Sequence, residues 1–333
     1  MRFGLFGGAR SSGDGLAGDS IGYERYIDYV LDAEALGFHS VFVVEHHFTG
    51  VGQVSASLNL LSYLAARTSR IRLGTAVVVL PWHNPALLAE QVATLDLLSG
   101  GRFDFGVGKG YRESEFAGFA IPAGEAGERF EEAMDFLRAA WRGGGRFSHH
   151  GKYWNFENVV IEPRPVQQPH PPFWLGAGSR ASIERAAEAG YNLLLDQVAP
   201  IDVIVDRVRL FREACRSAGR SESSSQVAVA RGLQIVANDA ERDEALIVRA
   251  RVLGAIGGLA RGPDADRYHN MTVEAAAELA ANDAPLLGRP AEIVARLKQL
   301  RAGGVDYVLL VDPTGSREAL ARFAAEIRPY LRD

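Results

Sequence analysis

The chain has 333 residues, 47% of them hydrophobic, and sets 36 Lys and Arg against 41 Asp and Glu for a net charge of −5. That balance lacks the basic face a phosphate backbone requires, which argues against a nucleic-acid partner. No apolar run approaches the roughly 20 residues needed to span a bilayer, so no membrane segment is expected. Met1-Arg2-Phe3-Gly4-Leu5-Phe6 turns polar too soon for a signal peptide, and the single cysteine, Cys215, rules out a disulfide framework. The expectation is a soluble, cytoplasmic protein with a large core.

Short apolar runs recur along the chain, each followed by an amphipathic stretch. Phe3 to Phe6 leads through a Gly/Ser-rich loop to a helix from Tyr23 to Leu36, which Gly37 stops. Val41 to Val44 precedes a helix from Ser55 to Arg67, and Ile71 to Val79 precedes one from Pro85 to Leu98, where proline suits the first turn. Phe103 to Val107 is followed by a Gly-rich loop and a helix from Glu128 to Trp141. Pro172 to Leu175 passes through Gly176-Ala177-Gly178 into a helix from Ser182 to Ala189, and Asn192 to Leu195 precedes a helix ending near Arg216. Val227 to Val236 and Val305 to Val311 supply the last two strands, each with its helix. Eight such units predict an α/β fold, a single (β/α)8 TIM barrel over residues 1–333. Residues 146–161 read as a hairpin inserted before strand five, with His149 and His150 at its turn. Residues 239–289, carrying Gly254, Gly257, Gly258, Gly262 and Pro263, read as a long, lid-like insertion before the last unit.

The chemistry-bearing residues fall where these strands end. Glu45-His46-His47-Phe48 follows the second strand and delivers a carboxylate and two imidazoles to the C-terminal rim, where parallel α/β proteins do their chemistry. Histidine, with an unperturbed pKa of about 6.5, can hold or release a proton there near neutrality. After strand four, Gly106-Val107-Gly108-Lys109-Gly110-Tyr111-Arg112 lets the backbone approach a ligand closely and sets Lys109 beside it; the alternative is a tight turn with an exposed lysine. After strand five, Gly176-Ala177-Gly178-Ser179-Arg180-Ala181-Ser182 opens a helix with free N–H groups, two hydroxyls and an arginine, which suits an anion such as phosphate or a simple N-cap. The same segment matches G-x-G-x-x-A, with Asp196 about 20 residues on, the fingerprint of a nicotinamide dinucleotide site. Four strand-helix units precede it, however, whereas that fingerprint normally opens its domain. No metal is expected, because adjacent His46 and His47 diverge and no H-x-H or H-E-x-x-H occurs.

Read together, Glu45-His46-His47-Phe48-Thr49, the run Gly74 to Pro81, Gly101-Arg102-Phe103-Asp104-Phe105-Gly106 and the Gly176–Ser182 loop resemble the bacterial luciferase-like flavin monooxygenases. Their order and spacing match the luciferase α subunit from residue 1 to about residue 200; Gly288-Arg289-Pro290 and Gly303 to Val308 look like the family's last unit, and agreement is weakest across 239–289. The resemblance implies a barrel that binds FMN at its C-terminal rim. Gly178, Ser179 and Ser182 match the loop that holds the flavin phosphate, with Lys109 and Arg180 as charge partners. Ala76-Val77 matches a cis peptide beside the flavin ring, and Glu115 an acidic position near it. His46 matches the catalytic histidine, with Glu45 and His47 beside it.

The implied chemistry uses reduced FMN delivered by a separate flavin reductase. Oxygen adds to give a flavin 4a-(hydro)peroxide, which transfers one atom to a small organic substrate by hydroxylation or Baeyer–Villiger insertion. A homodimer formed through the early helices is also implied. Gly108 stands where the luciferase α subunit has a reactive cysteine, which argues against light emission. A deazaflavin-dependent oxidoreductase on the same barrel and a flavin-binding protein without turnover are the alternatives; retention of Glu45-His46-His47 favours oxygen chemistry.

Overall fold

The computed structural model describes residues 1–11, 15–50, 54–143, 145–221, 225–259, 278, 281 and 284–331. Eight parallel strands close into a barrel: β1 (Arg2–Gly7), β2 (Ser40–Val43), β3 (Arg72–Thr75), β5 (Phe103–Gly108), β8 (Phe173–Gly176), β9 (Asn192–Leu195), β10 (Val227–Ile235) and β12 (Tyr307–Val311). Each pairs with the next in that order, and β12 returns to β1 with Leu310 opposite Leu5. Helices α1 (Gly15–Ala35), α2 (Ser57–Arg67), α3 (Pro85–Leu98), α5 (Ala126–Gly143), α6 (Arg180–Ala189), α7 (Ile201–Ser217), α9 (Pro290–Ala302) and α10 (Arg317–Arg322) cover the outside. This is the (β/α)8 barrel the alternation predicts. Among the described residues no helix is long and apolar enough to cross a membrane.

Strands covered on both faces read as unbroken apolar runs. All four residues of β2 and all six of β5 are buried. Side chains alternate between faces, so Val41 and Val43 meet the helices while Phe42 turns to the other side. There Phe42, Trp174, Leu194, Ala228, Tyr307 and Leu309 fill the barrel. Phe42 meets Trp174 edge-on at 5.4 Å, and Tyr307 bonds Ser40. Below this plug Arg72 grips the Asp104 carboxylate with two parallel bonds, from Nε at 2.7 Å and from Nη2 at 3.0 Å. The helix starts are locally encoded as well: Asn84 Oδ1 accepts from the N–H groups of Ala86 and Leu87, with Pro85 filling the first helical position.

Three departures from the periodicity bear on the site. The run Ile71 to Val79 is not one strand: β3 stops at Thr75 and β4 (Val78–Val79) resumes pairing with β5. Between the pairs Gly74–Asp104 and Val78–Val107 the chain has one residue more than β5, and the Ala76–Val77 peptide there is cis. That bulge turns Ala76 and Val77 onto the top of the barrel plug beside Phe6. Gly106 faces the bulge so closely that a Cβ would lie 1.7 Å from the Thr75 carbonyl oxygen, which admits only glycine. Second, a short helix, α4 (Glu113–Gly118), occupies the loop after β5. Third, α1 begins at Gly15, well before Tyr23.

The antiparallel ribbon β6 (Phe147–His150) and β7 (Asn155–Val159) occupies the stretch before β8. His149 and His150 lie at the end of β6 rather than in the turn; the His149 ring stands edge-on to Phe136 at 5.3 Å, whereas His150 is exposed. Of the 239–289 stretch, helix α8 (Asp239–Leu259) and strand β11 (Leu286–Gly288) are described; Gly262 and Pro263 lie outside the described residues. Strand β11 adds to the far end of β10.

Candidate active site

The chain leaving β2 is pinned at the rim by two backbone bonds, from Val44 N–H to the Gly7 carbonyl and from His46 N–H to the Val54 carbonyl, both 2.9 Å. Glu45, only 3% exposed, is turned inward, and its Oε1 meets Trp82 Nε1 at 2.8 Å, His83 Nε2 at 3.0 Å and His47 Nε2 at 3.1 Å. Burial alone would raise its pKa, but the bonds from His47, His83 and Trp82 outweigh that and hold it at about 2. Glu45 is therefore an anionic hub that fixes two imidazoles and an indole.

A second buried carboxylate, Glu115 on α4, serves the other histidine. Its Oε1 lies 3.1 Å from His46 Nδ1 and accepts from His47 N–H at 3.0 Å. Arg112, 2% exposed, brings Nη1 to 3.8 Å from that oxygen, and this Nη1 has no hydrogen-bond partner among the described residues. A carboxylate only accepts, so in this bond His46 Nδ1 is the donor and the Nε2 side of the ring is the one not turned to Glu115. Aromatic rings wall this cluster: Trp82 stacks on Phe119 at 5.1 Å and meets Phe116 at 5.2 Å, and Phe119 stands edge-on to His47 at 4.8 Å.

Val77 sits at the middle of the rim. A Cβ on Gly108 would lie 2.6 Å from one of its methyls, and a Cβ on Gly176 would lie 3.4 Å from the other. The ends of β5 and β8 thus flank an apolar floor of Phe6, Ala76 and Val77. Beyond β8, Ser179 caps α6: its Oγ accepts from Ser182 N–H and lies 2.9 Å from Ser182 Oγ. Gly178 leaves open a space whose far wall is Arg207 Nη2 of α7, 3.5 Å from where a Cβ would be. Arg207 Nη1 in turn bonds Asp196 at 2.6 Å.

The sequence-derived residues therefore separate into groups. Glu45, His46, His47 and Glu115 come together; Ala76 and Val77 form the floor; Gly178, Ser179 and Ser182 form a hydroxyl-lined helix start. Lys109 is exposed just past β5. Arg180 is exposed and already paired with Glu184 at 2.9 Å along α6, so its charge is engaged away from the loop. Asp196, the acid of the dinucleotide reading, accepts from the Val198 and Ala199 N–H groups on one oxygen and from Arg207 on the other. Those bonds make it a loop anchor, not a ribose ligand. Sequence reasoning did not assign His83, Arg112 and Arg207 to the site. His83 carried the same signal as His46, a histidine just past a strand end, whereas Arg207 reaches the loop from a helix one unit away and carries no local signal.

The model of the luciferase-like monooxygenase family matches residues 1–307 of the chain. The chain belongs to that family. It is 31% identical over 221 residues to the oxygenase component of a flavin-dependent trigonelline monooxygenase of Acinetobacter baylyi, a match covering 65% of this chain and 60% of that one. With an FMNH2-dependent dimethylsulfone monooxygenase of Pseudomonas putida it shares 28% identity over 94% of its own length and 88% of the relative's. The monooxygenase RslO1 of Streptomyces bottropensis superposes over the full length of both chains with a TM-score of 0.85 and 26% identity. The chain spans 55–60% of the length of the first curated relatives it matches.

A flavin needs an apolar face for its ring and hydrogen-bond donors for its phosphate. The floor of Phe6, Ala76 and Val77 offers the first, and the α6 N-terminus with Ser179 and Ser182 the second. These residues fit the cofactor.

Proposed function

We propose that this chain is the oxygenase component of a two-component, FMN-dependent monooxygenase. It takes reduced FMN from a separate flavin reductase and, with O2, oxygenates a small organic substrate. The observation that carries the reading is the placement of two carboxylate-bound histidines, His46 on Glu115 and His47 on Glu45, beside an apolar, aromatic-walled floor. The names of the relatives support it, two of them being flavin- or FMNH2-dependent monooxygenases.

Bound reduced FMN supplies the electrons with which O2 is activated. The chain's own residues do the rest. Ala76 and Val77 support the ring; Gly178, Ser179, Ser182 and the α6 N–H groups hold the phosphate, with Lys109 and Arg207 as nearby cations. His46 Nε2 takes up and returns a proton at the reacting centre, while Glu115 steadies the imidazolium form. Trp82, Phe116 and Phe119 exclude water that would divert the activated oxygen. Glu45 and His83 act by positioning, since Glu45 reaches the site through His47 and Trp82, and His83 bonds Glu45. The protein would act as a cytoplasmic homodimer joined through its early helices; exposed Tyr63, Leu87, Leu97 and Leu98 on α2 and α3 support that face.

Replacing both Ser179 and Ser182 by alanine is expected to weaken FMN binding at least tenfold while changing riboflavin affinity little, since each charge-assisted bond to phosphate contributes about 1.5–3 kcal/mol. Fluorescence titration of both flavins against both proteins measures this. Equal weakening would place the phosphate elsewhere and remove the flavin geometry on which the reading stands.

A further inference from the structure

The loop that opens α6 has hydroxyls and backbone donors, but the arginine on its own helix is turned away from it. Arg180 pairs with Glu184, one turn along α6. Lys109 is exposed past β5 and makes no ion pair among the described residues. The cation that does lie against the loop comes from α7. Arg207 has Nη2, Cζ and Nη1 at 3.5, 3.7 and 3.9 Å from where a Cβ on Gly178, next to the capping Ser179, would be. Such similar distances set the flat face of the guanidinium against the loop backbone and leave its N–H-bearing edge to reach along it.

Arg207 is fixed in that place. Its Nη1 donates to Asp196 Oδ2 at 2.6 Å, and Asp196 Oδ1 is itself held by the Val198 and Ala199 N–H groups, both at 2.8 Å. Burial alone would raise the Asp196 pKa, but those N–H bonds and Arg207 hold it below the usual carboxylate range, so it stays an anion able to grip the arginine. The Arg207 side chain is 24% exposed and remains open to a ligand. Behind the same loop, the fully buried Arg231 donates Nη1 to the Asp196 carbonyl at 3.1 Å. Asp196 is the one acid bonded to either arginine among the described residues, so one positive charge there has no bonded counter-ion. A guanidinium held in advance loses less freedom on binding an anion than a free lysine does, and its fork matches two phosphate oxygens.

We propose that Arg207, oriented by Asp196, is the residue with which this chain selects a flavin that carries a phosphate over one that does not. Asp196 is then a positioning residue, and the charge that the sequence pattern sets on Arg180 is supplied from the next helix. The inference rests on the flavin reading. Titration of FMN and of riboflavin into the full chain, followed by fluorescence, tests it. Arg207→Gln is expected to weaken FMN at least about tenfold and riboflavin less than about twofold, the scale of losing a bond to a charged group. Arg207→Lys, which keeps the charge but not the fork, should fall between Arg207→Gln and the wild type. Arg180→Gln should change neither affinity by more than about twofold, since an exposed pair along a helix contributes little. A preference for FMN that survives Arg207→Gln, or that falls with Arg180→Gln instead, overturns the proposal and leaves the flavin reading standing. A wild type that binds both flavins alike removes the phosphate site itself, and the proposal with it. Should Arg207→Gln not fold, phenylglyoxal modification of the wild type decides, read by peptide mass spectrometry. FMN should protect Arg207 and riboflavin should not; equal modification with either flavin overturns the proposal.

Discussion

His46→Ala is expected to bind FMN as the wild type does and to oxygenate substrate about 100-fold more slowly, the usual scale for losing a general acid–base. Among the described residues the imidazole makes one side-chain bond, from Nδ1 to Glu115. Flavin titration and coupled product formation, measured on the same preparation, separate binding from chemistry. Undiminished turnover would take His46 out of the mechanism. Glu115→Gln should reproduce part of the loss, since an amide accepts from Nδ1 without stabilising the imidazolium.

The second large effect is on stability. Glu45→Ala is expected to cost about 3–5 kcal/mol, because it strips a buried anion from His47, His83 and Trp82 at once. Urea melts measure this directly, and a loss below 1 kcal/mol would mean that these donors find other partners. The same carboxylate predicts a pH dependence. Its pKa falls from an ordinary 4.5 to about 2 in the fold, so the unfolded chain binds the proton more readily. The stabilisation, about 3 kcal/mol, is fully present above pH 5 and is lost as pH falls from 4.5 through 2. Glu45→Gln should lack that acid-sensitive component, which a stability profile from pH 7 to pH 2 would reveal.

The barrel was legible because each strand is buried on both faces and therefore reads as a short apolar run, and because turns such as Gly37 and helix starts such as Pro85 are locally encoded. The histidine cluster was legible for the same reason: a polar triplet directly after Val41-Phe42-Val43-Val44 has to emerge at the rim. The break in the third strand was not visible in the apolar pattern of Gly74 to Val79, which continues unchanged through the bulge; only the family resemblance pointed to Ala76-Val77. Division of labour within Glu45-His46-His47 was equally hidden. Adjacent side chains on an extended segment point to opposite sides, so each histidine finds its own carboxylate, Glu45 from two residues away and Glu115 from α4 in the loop after β5.

Rapid mixing tests the central claim most directly: protein is loaded with reduced FMN without oxygen, then mixed with oxygenated buffer while absorbance is followed. The flavin monooxygenase account predicts a near-ultraviolet band, distinct from free reduced and oxidised FMN, that outlives the oxidation of free reduced flavin and shortens when His46 is alanine. Conversion to oxidised FMN at the rate of free flavin, unchanged by the protein, would contradict it.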